Sequence, residues 1–231
     1  MINTVLFDYD GTLMDTNEVV LQSWQHTFRT FRGHEEDTDT IRKTFGEPLV
    51  MTLENTFPEI PLEKSLEVYR SFQRDVFTDY VEVFPGMLEL LQQLKNKGCK
   101  LGLVTSRTKD TTWAGLESYG MDIYFDAVIT AGDTDKHKPD PEPILITLEK
   151  LGSAPEESIM VGDTMFDLLC ARNAGVKNVM VDWSVTMTDE EKAQADYIIK
   201  KADELLDIIS EAGSGYHFFG QSAERAVIRR V

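Results

Sequence analysis

Four short apolar runs, Thr4–Phe7, Lys100–Thr105, Ala127–Thr130 and Ser158–Val161, are each followed by a stretch of helical periodicity. Val179–Val181 and Tyr197–Ile199 add two further runs of the same kind. The helical spacing falls on Gly86–Lys97, Asp110–Tyr119, Pro141–Leu151 and Met165–Ala174. A short strand that is apolar throughout is buried on both faces, and an intervening helix carries the chain back to start the next parallel strand. The alternation therefore predicts an α/β fold, a Rossmann-like parallel sheet with helices on both faces. With 231 residues, 42% of them hydrophobic, the chain can bury one sizeable core with a smaller satellite.

The rhythm breaks between Thr16 and Val83. No convincing strand falls there, but Val20, Trp24, Phe28 and Phe31 recur at helical spacing, as do Leu66, Tyr69, Phe72, Val76 and Tyr80. Such aromatics are read first as helix-packing core. The interval is expected to form an all-helical insertion after the first strand, joined by two linkers, with Pro85-Gly86 marking the return to the α/β pattern. The domain boundaries that follow are a core of residues 1–15 and 84–212 and an inserted helical domain of residues 16–83. A tail, 213–231, contains an aromatic cluster and three arginines and is assigned no role.

The formal net charge of −17 disfavours nucleic acid and anionic membrane surfaces as partners. Any anionic substrate needs a local cationic patch or a metal to overcome that field. Cys99 and Cys170 lack metal-ligand or redox spacing and are expected to be structural thiols. The four histidines are scattered, which argues against a histidine-built metal centre. No segment is long and apolar enough to span a bilayer, and the N-terminus lacks a signal-peptide layout, so a cytoplasmic protein is expected.

Four constellations stand at strand ends. In an extended chain residues i and i+2 point the same way, so Asp8 and Asp10 project together from the C-terminal end of the first strand, before a turn at Gly11. That edge of an open parallel sheet is where ligands bind. The second strand ends in Thr105-Ser106-Arg107, the third leads to Lys138-Pro139-Asp140-Pro141, and the fourth runs into Gly162-Asp163 with Asp167 one helical turn on. Each has a plain structural alternative: a turn or helix cap for the aspartates, an N-cap for Thr105-Ser106, an exposed lysine for Lys138. Together they suit one task. Asp8 and Asp163 at close range repel, a hard dication such as Mg²⁺ removes that penalty, and Lys138 with hydroxyl and amide groups completes a cradle for a phosphoryl group.

Asp8-Tyr-Asp-Gly-Thr, Thr105-Ser106, Lys138-Pro139 and Gly162-Asp163-x-x-x-Asp167 resemble the four ordered motifs of the haloacid dehalogenase superfamily. The resemblance covers roughly residues 1–212, and the helical insertion resembles that superfamily's α-helical cap. Phe45-Gly46-Glu47-Pro48-Leu49 and Lys138–Pro143 are similar to the phosphoglycolate phosphatase and inorganic pyrophosphatase branch. The resemblance implies Asp8 as the nucleophile and a Mg²⁺ ligand, forming an aspartyl-phosphate, and Asp10 as general acid and base with its backbone carbonyl on the metal. It implies Asp163 as a metal ligand, with Asp167 acting from behind or through a water. Thr105 and Lys138 would hold the phosphoryl oxygens, and Ser106 and Arg107 would contact substrate. The implied reaction is Mg²⁺-dependent hydrolysis of a small anionic phosphorylated metabolite. A β-phosphoglucomutase-like sugar phosphomutase is the alternative enzyme, and a catalytically inactive binding protein the alternative of another class. The natural substrate, the cap residues that select it and the oligomeric state stay open.

Overall fold

A computed structural model describes residues 1–211. Its central strand, β1 (Thr4–Phe7), is buried along its whole length. Val5 and Phe7 point to one side and Leu6 to the other, each into a separate apolar cluster, so a strand apolar at every position serves two layers at once. After β1 the chain forms a short ribbon strand, β2 (Met14–Asp15), then four helices: α1 (Asn17–Arg32), α2 (Thr38–Arg42), α3 (Leu49–Thr56) and α4 (Leu62–Tyr80). The strand β3 (Glu82–Val83) pairs antiparallel with β2, so the two expected linkers are hydrogen-bonded to each other. Two-residue strands are too short to leave a period-2 signal, which is why the sequence shows only linkers there.

The rest alternates. α5 (Met87–Asn96), β4 (Lys100–Val104), α6 (Lys109–Ser118), β5 (Ala127–Ile129), α7 (Glu142–Leu151), β6 (Ser158–Gly162), α8 (Met165–Asn173), β7 (Lys177–Val181), α9 (Asp189–Lys192), β8 (Tyr197–Ile199) and α10 (Glu204–Glu211) follow in order. Six strands form one parallel sheet in the order β5-β4-β1-β6-β7-β8. Leu90, Leu91 and Leu94 of α5 with Leu205 and Ile208 of α10 cover one face. Ile144 and Leu148 of α7 with Cys170 and Ala171 of α8 cover the other. Both cysteines are buried free thiols. The expected strands and helices all occur, with ends shifted by a residue or two, as fraying termini dictate. The four-residue α9 and the terminal α10 carry no counterpart in the sequence reading.

In the inserted layer α1 packs along α4. Trp24, Phe28, Leu53, Phe57 and Tyr69 are buried together, with Trp24 and Tyr69 edge-to-face at 5.2 Å and Phe28 against Phe57 at 5.0 Å. Tyr80, expected in the same stripe, is 43% exposed because α4 ends there and the chain leaves as an extended strand. Among the described residues no helix is long and apolar enough to cross a membrane. The tail singled out at 213–231 lies outside the described residues.

Candidate active site

The strand order reverses at β1. From β1 the chain reaches β4 on one side and later β6 on the other, and the crevice at such a switch point collects whatever the strand ends carry. The Asp8 N–H donates to the Val161 carbonyl at 2.9 Å, which sets the Asp8 side chain beside the end of β6. Lys138, on the loop from β5 to α7, reaches into the same place. Its Nζ lies 2.9 Å from Asp8 Oδ1 and 2.6 Å from Asp167 Oδ1, with all three side chains buried. Carboxylate oxygens of Asp8, Asp163 and Asp167 fall within 4.8 Å of one another. Gly11 makes that approach possible: its φ is +70°, and a Cβ there would stand 2.2 Å from Asp163 Oδ2.

Burial pushes the Asp8 carboxyl up to about 7, although the Lys138 ammonium pulls against it. Asp163 is raised well above the usual carboxylate range, first by burial and then by the charges of Asp167 and Asp8. Burial works against the Lys138 charge, but Asp167 and Asp8 outweigh it and hold the ammonium above its ordinary value. Lys138 is thus a fixed cation committed to Asp8 and Asp167. The Asp163 carboxylate receives only the Thr12 hydroxyl, at 3.4 Å, and no ammonium or guanidinium lies within ion-pairing distance of it among the described residues. Hard carboxylate oxygens in excess of the available positive charge are the donor set that suits a divalent cation.

Asp10 turns away from the acidic cluster and accepts a hydrogen bond from Arg107 Nη1 at 2.8 Å. The buried Arg107 guanidinium lies 5.0 Å from the Tyr9 ring centroid and 5.8 Å from that of Phe77 on α4, and its Nε has no partner among the described residues. Ser106 donates its hydroxyl to the Gly46 carbonyl of the inserted layer at 3.2 Å. Thr105 is buried at the end of β4, its Oγ1 accepting the Arg107 N–H. Asp167 lies behind the pocket. Its Oδ2 accepts the backbone N–H and the hydroxyl of Thr164, at 3.1 and 2.6 Å, while Oδ1 faces Lys138.

A cavity of about 440 Å³ opens over this centre, between the sheet edge and the inserted helices. Asp8, Asp10, Lys138 and Asp163 form part of its floor, and Trp24, Tyr69, Arg70 and Gln73 part of its helical wall. Several contributors escape the sequence reading. Besides Thr12, the hydroxyls of Ser184 and Thr186 donate to the Asp163 carbonyl at 2.5 and 3.0 Å. Trp183 Nε1 donates to the Gly11 carbonyl at 3.2 Å, steadying the turn after β1. Trp183-Ser184-Val185-Thr186 begins two residues after the end of β7, so the rule that pointed to the other strand ends applies to it as well.

Residues 5–181 match the family described as haloacid dehalogenase-like hydrolase. The chain belongs to that family. A relative from Caldanaerobacter subterraneus subsp. tengcongensis assigned as pyrophosphatase PpaX is 38% identical over 217 residues, 94% of this chain and 98% of its own. Among solved haloacid dehalogenase-like structures, a Lactobacillus plantarum protein assigned as a phosphoglycolate phosphatase superimposes with a TM-score of 0.80. It shares 25% identity over 90% of this chain and 99% of its own. A Thermotoga maritima protein assigned as a β-phosphoglucomutase superimposes at 0.72, with 27% identity over 91% of this chain and 99% of its own. In this haloacid dehalogenase-like chain the family's sheet carries the buried acids at the edge where β1, β4 and β6 end.

Proposed function

We propose that the protein is a Mg²⁺-dependent phosphatase acting on a small phosphorylated metabolite, a pyrophosphate or a phosphoglycolate-like monoester, through an aspartyl-phosphate on Asp8. The reading rests on one observation above all. A buried lysine bridges Asp8 and Asp167 while Asp163 stands beside them short of positive charge. Asp8 and Asp163, with the Asp10 backbone carbonyl, would hold the cation, which when bound screens the phosphoryl charge and the nucleophile from each other. Lys138 keeps Asp8 oriented and presents a positive charge to the phosphoryl oxygens, the main demand of this reaction class. Thr105 contributes from the end of β4. Asp10, two residues after the nucleophile, would exchange its Arg107 pair for the substrate to serve as the acid for the leaving oxygen, then as the base for the attacking water.

Residues 16–83 act as a cap over the core formed by 1–15 and 84–212, excluding bulk water during turnover. The Ser106–Gly46 hydrogen bond ties that cap to the core, so Ser106 contributes to closure as well as to the pocket wall. A cytoplasmic location accords with metabolite chemistry. The mutase alternative keeps a foothold in the likeness to the Thermotoga protein. Against it, Gly162 precedes Asp163 where mutases of the superfamily typically carry a glutamate.

Purified protein with Mg²⁺ is expected to release inorganic phosphate from pyrophosphate, phosphoglycolate or p-nitrophenyl phosphate. Asp8→Asn should lower that rate by at least about 10³-fold with an unchanged melting temperature. A near-normal rate in the variant would remove Asp8 from the mechanism. Conversion of a hexose 1-phosphate to its isomer without phosphate release would decide for the mutase.

A further inference from the structure

The helical wall of the cavity carries polar side chains that have no partner among the described residues. Much of the polar lining is committed internally: Arg107 to Asp10, Asn17 to Asp15, Ser106 to Gly46, Glu47 to Thr52. Arg70 and Gln73, one turn apart on α4, are different. Neither side chain makes a hydrogen bond or ion pair among the described residues, although Gln73 is buried and both line the cavity. Arg74, next along the helix, pairs instead with Glu67 on the exposed side.

The spacing along α4 shows where this wall faces. Tyr69 feels the charges of Arg107 and Asp10, and Phe77 lies against the Arg107 guanidinium. Gln73 falls midway, four residues from each, so the stripe crosses directly over the Asp10–Arg107 pair. Arg70 joins Gln73 on the cavity side of that stripe. A half-buried guanidinium on a pocket wall, with no counter-charge among the described residues, can donate a charge-assisted hydrogen bond to a bound oxyanion. The floor already provides for the phosphoryl group that is attacked, through Lys138 and the acidic cluster. A second cationic group on the opposite wall therefore answers to a second negative charge, on the leaving-group side.

We infer that Arg70, assisted by Gln73, forms a distal oxyanion subsite that selects substrates whose leaving group is itself anionic, either a second phosphate or a carboxylate. The inference rests on the phosphatase reading and specifies its substrate class. A neutral leaving group would forgo the contact.

Two measurements test it. In Mg²⁺-loaded protein, Arg70→Met is expected to weaken binding of methylenediphosphonate, phosphonoacetate or both by about 10- to 100-fold in calorimetric titration. Methylphosphonate, with no second anion, should bind the variant and the parent within about threefold. Whichever of the first two analogues loses more identifies the distal group as phosphate or carboxylate. Arg70→Lys should recover part of the loss. Turnover should follow: kcat/KM falls for pyrophosphate or phosphoglycolate and holds for p-nitrophenyl phosphate. An equal loss for all three analogues, or none for any, overturns the subsite. A parent protein that releases phosphate neither from pyrophosphate nor from any phosphomonoester overturns the phosphatase reading instead, and the titration still reads the subsite without turnover.

Discussion

At the scale of single residues, the centre is organised by unequal access to positive charge. Lys138 satisfies Asp8 and Asp167, and Asp163 is left with a hydroxyl. Gly11 is the residue that lets this crowding exist. Alanine there would force a left-handed φ on a residue with a side chain and drive a methyl group into the Asp163 carboxylate. Gly11→Ala is therefore expected to lower stability by about 1–3 kcal/mol and to weaken Mg²⁺ binding at least tenfold, read by thermal melts and by titration. A variant with normal metal affinity would show that the Asp163 position tolerates displacement. The same scale shows why pairs such as Asp8 and Asp10 are visible in sequence: residues two apart in a strand share a direction. Their fates still diverge, since Asp8 meets Lys138 and Asp10 meets Arg107 from a loop 97 residues away. Strand periodicity cannot express that choice.

At the scale of elements, α8 links helix capping to the proposed reaction centre. Thr164 and Asp167 form a reciprocal capping box at its N-terminus, so the carboxylate that ends the cap also orients Lys138. Thr164→Ala should cost about 0.5–2 kcal/mol of stability and, by loosening Asp167, reduce turnover more than a cap loss elsewhere would. The comparison is Thr188→Ala, which removes the equivalent box at exposed α9 and should leave turnover unchanged. Equal effects from both variants would separate the α8 cap from catalysis. These caps are written in short sequence patterns, as are the strands. The β2–β3 ribbon is not, because two-residue strands arise only once the inserted layer has folded back and brought residues 14–15 and 82–83 together.

At the scale of the whole molecule, burial of acids couples proton binding to stability and, at the proposed metal site, to cation binding. Asp8 goes from 3.8 to about 7 on folding, and Asp163 moves in the same direction. A carboxyl whose folded value is raised favours the folded state fully below its unfolded value. That contribution is lost as pH climbs through the folded value, here between about 4 and 7. Without divalent cation, these two groups should make the protein less stable across that window. A bound cation replaces the protons, so the rise in melting temperature produced by Mg²⁺ should grow from about pH 5 to about pH 7.5 and then level off. An increment independent of pH would mean that these carboxyls are not the ones the cation meets.

The chain's own order of residues determines a good deal by itself: an alternating α/β core, a helical insertion, and acids, hydroxyls and a lysine gathered at one sheet edge. Those features follow from local periodicity and from the rule that parallel strands deliver their C-terminal residues to a common side. Folding alone decided the partners. Lys138 belongs to Asp167 as much as to Asp8, Ser106 reaches the inserted layer, and Arg70 and Gln73 line the cavity with no hydrogen-bond partner among the described residues. These pairings depend on how strand-end loops and the inserted layer pack across a crevice, with partners 60 residues apart in the Ser106–Gly46 case and 97 in the Asp10–Arg107 case, and no local spacing in the chain encodes such distances.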